Sequence, residues 1–189
     1  MPPVRKYSKE NIVNISYEIV KKEGLQGLNA RKIASKLNSS VQPIFHNFKN
    51  MEEVENLVKE KIFKEYKTII SEATDKEKPY LAKGMAYIKF AKDYPEFFKI
   101  LFMNNEKLTP EKFLERDEDS SKIILESGKK VFDLSIKEQK EVYLKSWIFA
   151  HGIACLVITK TIKYDEKRLK ETLGSAVRQI VYGLKNNIK

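Results

Sequence analysis

The stretch RKIASKLNSSVQPIFHNFKN, residues 31–50, decides how the chain is read. It consists of two short amphipathic runs parted by a polar break, Asn38-Ser39-Ser40. In the first run Ile33, Ala34 and Leu37 share a helical face. The second run, Val41 to Phe48, carries Pro43 in its first turn, where the missing N–H is no loss. Ile44, Phe45 and Phe48 are its expected inward anchors, with Phe45 near the surface. Helices this short are marginal alone. Neighbours must hold them, and the polar face of the second must have a use.

The neighbours are readable on both sides. Ser8 is an expected N-cap, Glu10 suits the first turn, and Ile12, Ile15, Ile19 and Val20 fall on one face. Gly24 is the expected C-terminal stop of this first helix, and Asn29 caps the second. Ser40 is positioned to cap the third, and Asn50 to start a longer helix with Val54, Leu57, Val58, Ile62, Tyr66 and Ile69 inward. Residues 72–79, EATDKEKP, are polar and end in proline. The domain boundary is expected there, giving a small domain over 1–50, a connecting helix over 51–71 and a larger domain over 72–189.

Further helices are expected over LAKGMAYIKFAKDY, over PEFFKILFMNN with Pro95 at its first position, over SKIILESGKKVFDLS, and over the last two runs, 136–162 and 165–186. Residues 104–122 are polar and show no strong pattern. No run alternates like a strand and no repeat is found. The fold class is therefore all-α.

Composition agrees. Hydrophobic residues make up 42%, enough for a core, while 7 Gly and 6 Pro leave long helices uninterrupted. The single cysteine excludes an internal disulfide. MPPVRKYSKE lacks the apolar core of a secretion signal, which favours a cytoplasmic protein. The longest apolar run, residues 147–159, falls short of the ~20 residues a bilayer span needs. It reads as a buried core helix, and no membrane partner is expected.

The chain carries a net +10, of which +6 lies in the first fifty residues: nine Lys or Arg against three Glu. That concentration points to a polyanion partner. Two close helices joined by a tight turn form a helix-turn-helix unit. Its third helix would present Val41, Gln42, Pro43, His46 and Asn47. Gln42 can bond base edges, and Val41 and Pro43 can touch a thymine methyl. Arg31 and Lys49 add charge, and the arm Arg5-Lys6-Tyr7 can reach along the DNA backbone or into the minor groove. Periodicity alone leaves open an ordinary helical hairpin with a solvated face.

GLQGLNARKIASKLNSSVQPIFHNFKNMEEV resembles the DNA-binding domain of the tetracycline-repressor (TetR) family. That family's pattern is a glycine-ended first helix, then T-x-R-x-I-A-x-x-L-G-V-S, then L-Y-x-H-F-x-x-K-x-x-L. Gly24, Arg31, Ile33, Ala34, Leu37, Ser40 and Phe48 match it. Asn29 stands for Thr or Ser, Asn38-Ser39 for Gly-Val, Phe45 for the tyrosine that meets a phosphate, Asn47 for histidine and Met51 for lysine. His46 and Lys49 offer replacement contacts. The resemblance covers about residues 8–60. Charge, helix-turn-helix geometry and the resemblance together give the expected DNA-contacting residues: Arg5, Lys6, Asn29, Arg31, Ser40, Val41, Gln42, Pro43, Phe45, His46, Asn47 and Lys49.

For the rest of the chain it implies a larger helical domain for effector binding and dimerisation. FAKDYPEFFKILFM, residues 90–103, is similar to the sixth-helix region of many members, and Trp147, His151 and Gly152 resemble the W-x-x-x-H-G signature of the WHG subclass. Trp147, His151 and Cys155 share a helix face. With Tyr87, Phe90 and Phe102 they are the expected effector-lining residues, although core packing accounts for the same pattern. Cys155 and His151 also raise a nucleophile pair, but no oxyanion element or third partner accompanies them. No enzyme activity, cofactor or metal is expected.

The expectation is a homodimeric one-component regulator, a repressor released from a pseudo-palindromic double-stranded operator by a small, largely apolar effector. The alternatives are an activator, an effector-free regulator, or a helical small-molecule binding protein without specific DNA binding.

Overall fold

The computed structural model describes residues 7–75, 77–103 and 133–186. Among them are eight α-helices, one 3-10 turn at Leu25–Gly27 and no strand. The helices are α1 (Lys9–Glu23), α2 (Ala30–Leu37), α3 (Gln42–Asn47), α4 (Met51–Glu72), α5 (Pro79–Asp93), α6 (Pro95–Phe102), α7 (Ile136–Ile158) and α8 (Glu166–Lys185). Arg5, Lys6, the polar segment 104–122 and nearly all of the helix expected over 121–135 lie outside the described residues.

The chain divides into two compact units. The first holds α1 to α3, α4 up to Tyr66, and α6; the second holds α4 from Lys67, α5, α7 and α8.

In the first unit α1 is the hub on which α2, α3 and α6 pack. Ser8 caps α1 by accepting from the Asn11 N–H at 3.1 Å, and Gly24 ends it at φ 71°, a left-handed conformation that glycine adopts without strain. Ile12, Ile19 and Val20 are buried, as are Ser16, which bonds the Ile12 carbonyl at 2.7 Å, and Tyr17. Tyr17 meets Phe97 of α6 with ring centroids 4.9 Å apart, while Tyr66 meets Phe102 at 5.1 Å. These ring pairs bring α6, sequentially distant, onto α1 and the first part of α4. Asn50 caps α4 by accepting from the Glu53 N–H at 3.0 Å, and Glu53 accepts in return from the Lys49 N–H at 2.8 Å. The buried stripe of α4 is Val54, Val58, Ile62, Tyr66 and Ile70. Leu57 and Ile69, expected inward, flank that stripe at intermediate exposure.

In the second unit α5, α7 and α8 pack against one another. Gly84 permits the closest of these approaches: a Cβ there would lie 2.6 Å from Leu173 of α8. Lys83 is buried and donates to the Ile70 and Ser71 carbonyls at the end of α4. It thereby adds a cationic donor to the last turn of α4, where the Ile70 carbonyl also accepts from the Ala73 N–H at 3.3 Å. Ser135 and Glu138 form a reciprocal capping box at the start of α7, and Asp165 caps α8.

α7 corrects one expectation. It runs for 23 residues and is long and apolar enough to cross a membrane by length and composition. The apolar run 147–159 is only its second half, because the helix starts eleven residues earlier on a capped amphipathic segment. Ala150, Ile153, Ala154 and Val157 are buried in the unit.

Candidate functional site

The α2–α3 segment is built by local chemistry. Asn29 accepts from the Lys32 N–H at 2.9 Å, which caps α2. At the other end Asn38 takes the left-handed conformation, φ 49° and ψ 54°. The N–H groups of Asn38 and Ser39 then bond the Ser35 and Ala34 carbonyls at 3.1 and 3.0 Å. Asparagine tolerates this backbone better than most side chains. The turn is therefore tight, and α3 begins four residues beyond it. Ser40, expected to cap α3, accepts from the Gln42 N–H at 3.3 Å, but the capping position itself is Val41, which makes no side-chain cap bond. The helix itself is shorter than the expected Val41–Phe48, because Val41 and Phe48 are its flanking cap residues. Ile44 and Phe48 are buried and anchor it.

Arg31, Ser40, Gln42, Phe45, His46 and Lys49 are exposed. Val41 and Pro43 are half-buried. Asn29 is exposed, with its side-chain oxygen committed to the cap. Two residues differ from their expected placement. Phe45 is 48% exposed and is no inward anchor, since a six-residue helix has room for little more than the Ile44 stripe inside. Asn47, expected to face outward, is half-buried, and its amide donates to the carbonyls of Pro43 and Tyr7. That second bond spans forty residues, and no local pattern announces it. The exposed Lys9 pairs with Glu53 at 3.1 Å, with its ammonium 5.2 Å from the Phe48 ring centre.

In the second unit, Tyr87 of α5 meets Trp147 and His151 of α7. The Tyr87 hydroxyl lies 2.9 Å from His151 Nδ1, and Cys155 Sγ lies 3.5 Å from Nε2. Trp147 and His151 have ring centroids 5.4 Å apart. Either neutral tautomer serves both polar contacts: Tyr87 donates to Nδ1 with the Nε2 hydrogen facing sulfur, or Nδ1 donates to Tyr87 and the thiol donates to Nε2. Burial lowers the His151 pKa and raises that of Cys155. The imidazole is therefore kept neutral and the thiol protonated, the reverse of what a nucleophile pair requires. Phe90 is buried in this unit, whereas Phe102 packs with Tyr66 and Phe98 in the other.

A cavity of about 220 Å³ lies elsewhere in the second unit, between the start of α5 (Tyr80, Leu81) and the middle of α8 (Gly174, Val177, Arg178). None of the expected effector residues lines it. Burial pushes the Tyr80 pKa up to about 12. Among the described residues no cluster of three or more His, Cys, Asp or Glu could hold a metal ion.

Comparison with solved structures defines the class of fold. A protein of unknown function from Rhodococcus sp. RHA1 superposes with a TM-score of 0.68 at 16% identity, covering 93% of each chain. A transcriptional regulator from the same Rhodococcus gives 0.58 at 15% identity, covering 93% of this chain and 97% of its own. The fatty acid degradation regulator FadR from Bacillus halodurans gives 0.53 at 16% identity, covering 97% and 98%. At these identities the fold is what is shared: an all-α fold also found in transcriptional regulators. No protein-family model matches the chain, and no curated protein matches it.

Proposed function

We propose that the chain is a TetR-family one-component transcriptional regulator that acts as a repressor in the cytoplasm. The observation that carries this reading is the α2–turn–α3 unit. A six-residue helix, held from inside by Ile44 and Phe48, keeps Gln42, Phe45, His46 and Lys49 exposed beside the exposed Arg31. A packed hairpin without a partner for that face would gain nothing from its charge and its exposed phenyl ring. Gln42 reads a base edge, while Arg31 and Lys49 meet phosphates. The front-loaded positive charge supports a polyanion partner.

The regulator acts as a homodimer. Ile148, Phe149 and Leu156 of α7 and Tyr182 of α8 are 54, 40, 42 and 64% exposed. Large apolar side chains gathered on the last two helices suit an isologous interface. Two copies would then present two third helices to successive major grooves of a pseudo-palindromic operator. A small, largely apolar effector binds the second unit, with the Tyr87–His151 pair as its polar handle. It releases the operator by favouring the state that binds DNA less well.

The test is binding of the purified protein to labelled DNA tiled across its own upstream region, at several salt concentrations. A footprint on one tile with a steep salt slope is expected. Equal, weak binding on every tile, together with tight binding of a small apolar compound, would favour a helical small-molecule binding protein instead.

A further inference from the structure

Asn47 is the last residue of α3 and is spent internally. Its Nδ2 donates to the Pro43 carbonyl at 2.7 Å and to the Tyr7 carbonyl at 2.9 Å. Both acceptors are carbonyls, which cannot donate, so they determine which end of the amide is nitrogen. Tyr7 precedes the Ser8 cap and lies outside any helix. The bond therefore ties the chain ahead of α1 to the C-terminal end of the reading helix. Tyr7 remains 39% exposed there. Phe45, exposed on the same short helix, offers DNA only a ring. A tyrosine hydroxyl can donate to a phosphate oxygen, a contact that positions a protein without reading sequence.

We propose that Asn47 is a positioning residue of the DNA interface: it holds the backbone at Tyr7 against the end of α3, and the Tyr7 hydroxyl contacts a phosphate beside the groove that α3 enters. The inference rests on the DNA-binding reading above and replaces a base contact for Asn47 with a role exerted through Tyr7. An Asn47 that only stabilised α3 would need Pro43 and not Tyr7.

The experiment measures affinity of the full chain, as Tyr7→Phe, Asn47→Ala and the double variant, for the footprinted tile and for a random duplex. Tyr7→Phe leaves the backbone carbonyl, and so the Asn47 bond, in place. It should weaken both duplexes alike, about 3- to 10-fold, as expected for one hydrogen bond. Its salt slope should be unchanged, since no charge is lost. Asn47→Ala should lose at least as much, and the double variant should bind no more weakly than Asn47→Ala alone. Wild-type affinity in Tyr7→Phe, or losses that multiply in the double variant, would overturn the proposal. So would an Asn47→Ala defect confined to the footprinted tile, which would mark a base contact. Thermal melting separates a folding defect in Asn47→Ala from a DNA defect, and Tyr7→Phe carries the test if that variant unfolds. Absence of any preferred tile for the wild-type chain would instead defeat the DNA-binding reading itself.

Discussion

At the scale of single residues, the proposed DNA-binding role assigns reading and holding to different residues. Gln42 is exposed near the start of α3, whereas Arg31 lies in the first turn of α2. Gln42→Ala should therefore reduce the ratio of operator to random-DNA affinity, and Arg31→Ala should weaken both equally and lower the salt slope by about 1. Equal losses for Gln42→Ala on both duplexes would remove its base-reading role. His151 makes a pH prediction. Its folded pKa lies below the ordinary 6.5 because burial disfavours the cation. The unfolded chain then binds the extra proton first, so this stabilisation is complete above about pH 6.5 and fades as pH falls toward the lowered folded value. Melting at pH 8 and pH 5 should show a smaller acid-induced drop for His151→Gln than for the wild type. The caps at Ser8 and Asn29 were legible beforehand because a cap is a bond between near neighbours in sequence. The Asn47–Tyr7 and Tyr87–His151 bonds join residues 40 and 64 apart, and they were not legible.

At the scale of elements, helical periodicity located the helices well but their exact buried edges less well. The stripe on α4 drifted to Ile70 because the end of that helix packs on α5, where Lys83 reaches the Ile70 and Ser71 carbonyls. Lys83→Met preserves the aliphatic stem and removes the donor. It should destabilise the chain by about 1.5–3 kcal/mol, the worth of a hydrogen bond from a charged donor, while the Ile70 carbonyl keeps the Ala73 N–H. Amide exchange should rise chiefly in the last turn of α4; unchanged protection there would count against this role. Gly84→Ala puts a methyl group 2.6 Å from Leu173, so overpacking of about 1–3 kcal/mol is expected in thermal or urea unfolding. Helix propensity alone would predict the opposite sign, since Gly→Ala favours an isolated helix by roughly 1 kcal/mol. The sign of that single measurement decides which effect dominates.

At the scale of the whole molecule, the proposed dimer makes the strongest claim. Phe149→Asp with Leu156→Asp places charges on exposed positions of α7, where a monomer would tolerate them. Sedimentation should show the wild type as a dimer and the double variant as a monomer with a much weaker hold on the operator. A wild-type monomer, or a variant dimer, would remove α7 from the interface. Division of the chain into compact units also belongs to this scale. α6 follows α5 after a single residue, yet it joins α1 in the first unit through Tyr17 and Phe97.

The all-α class, the caps, the tight turn at Asn38 and the short third helix followed from the sequence by itself. Each depends on residues within about one or two helical turns of one another, and such local preferences act before any packing is known. Only the tertiary structure decided that Asn47 holds Tyr7, that Tyr87 meets His151, and that Phe102 packs with Tyr66 and Phe98. Those outcomes depend on which distant helix offers a carbonyl, a ring or a void, and periodicity carries no information about the neighbour's surface.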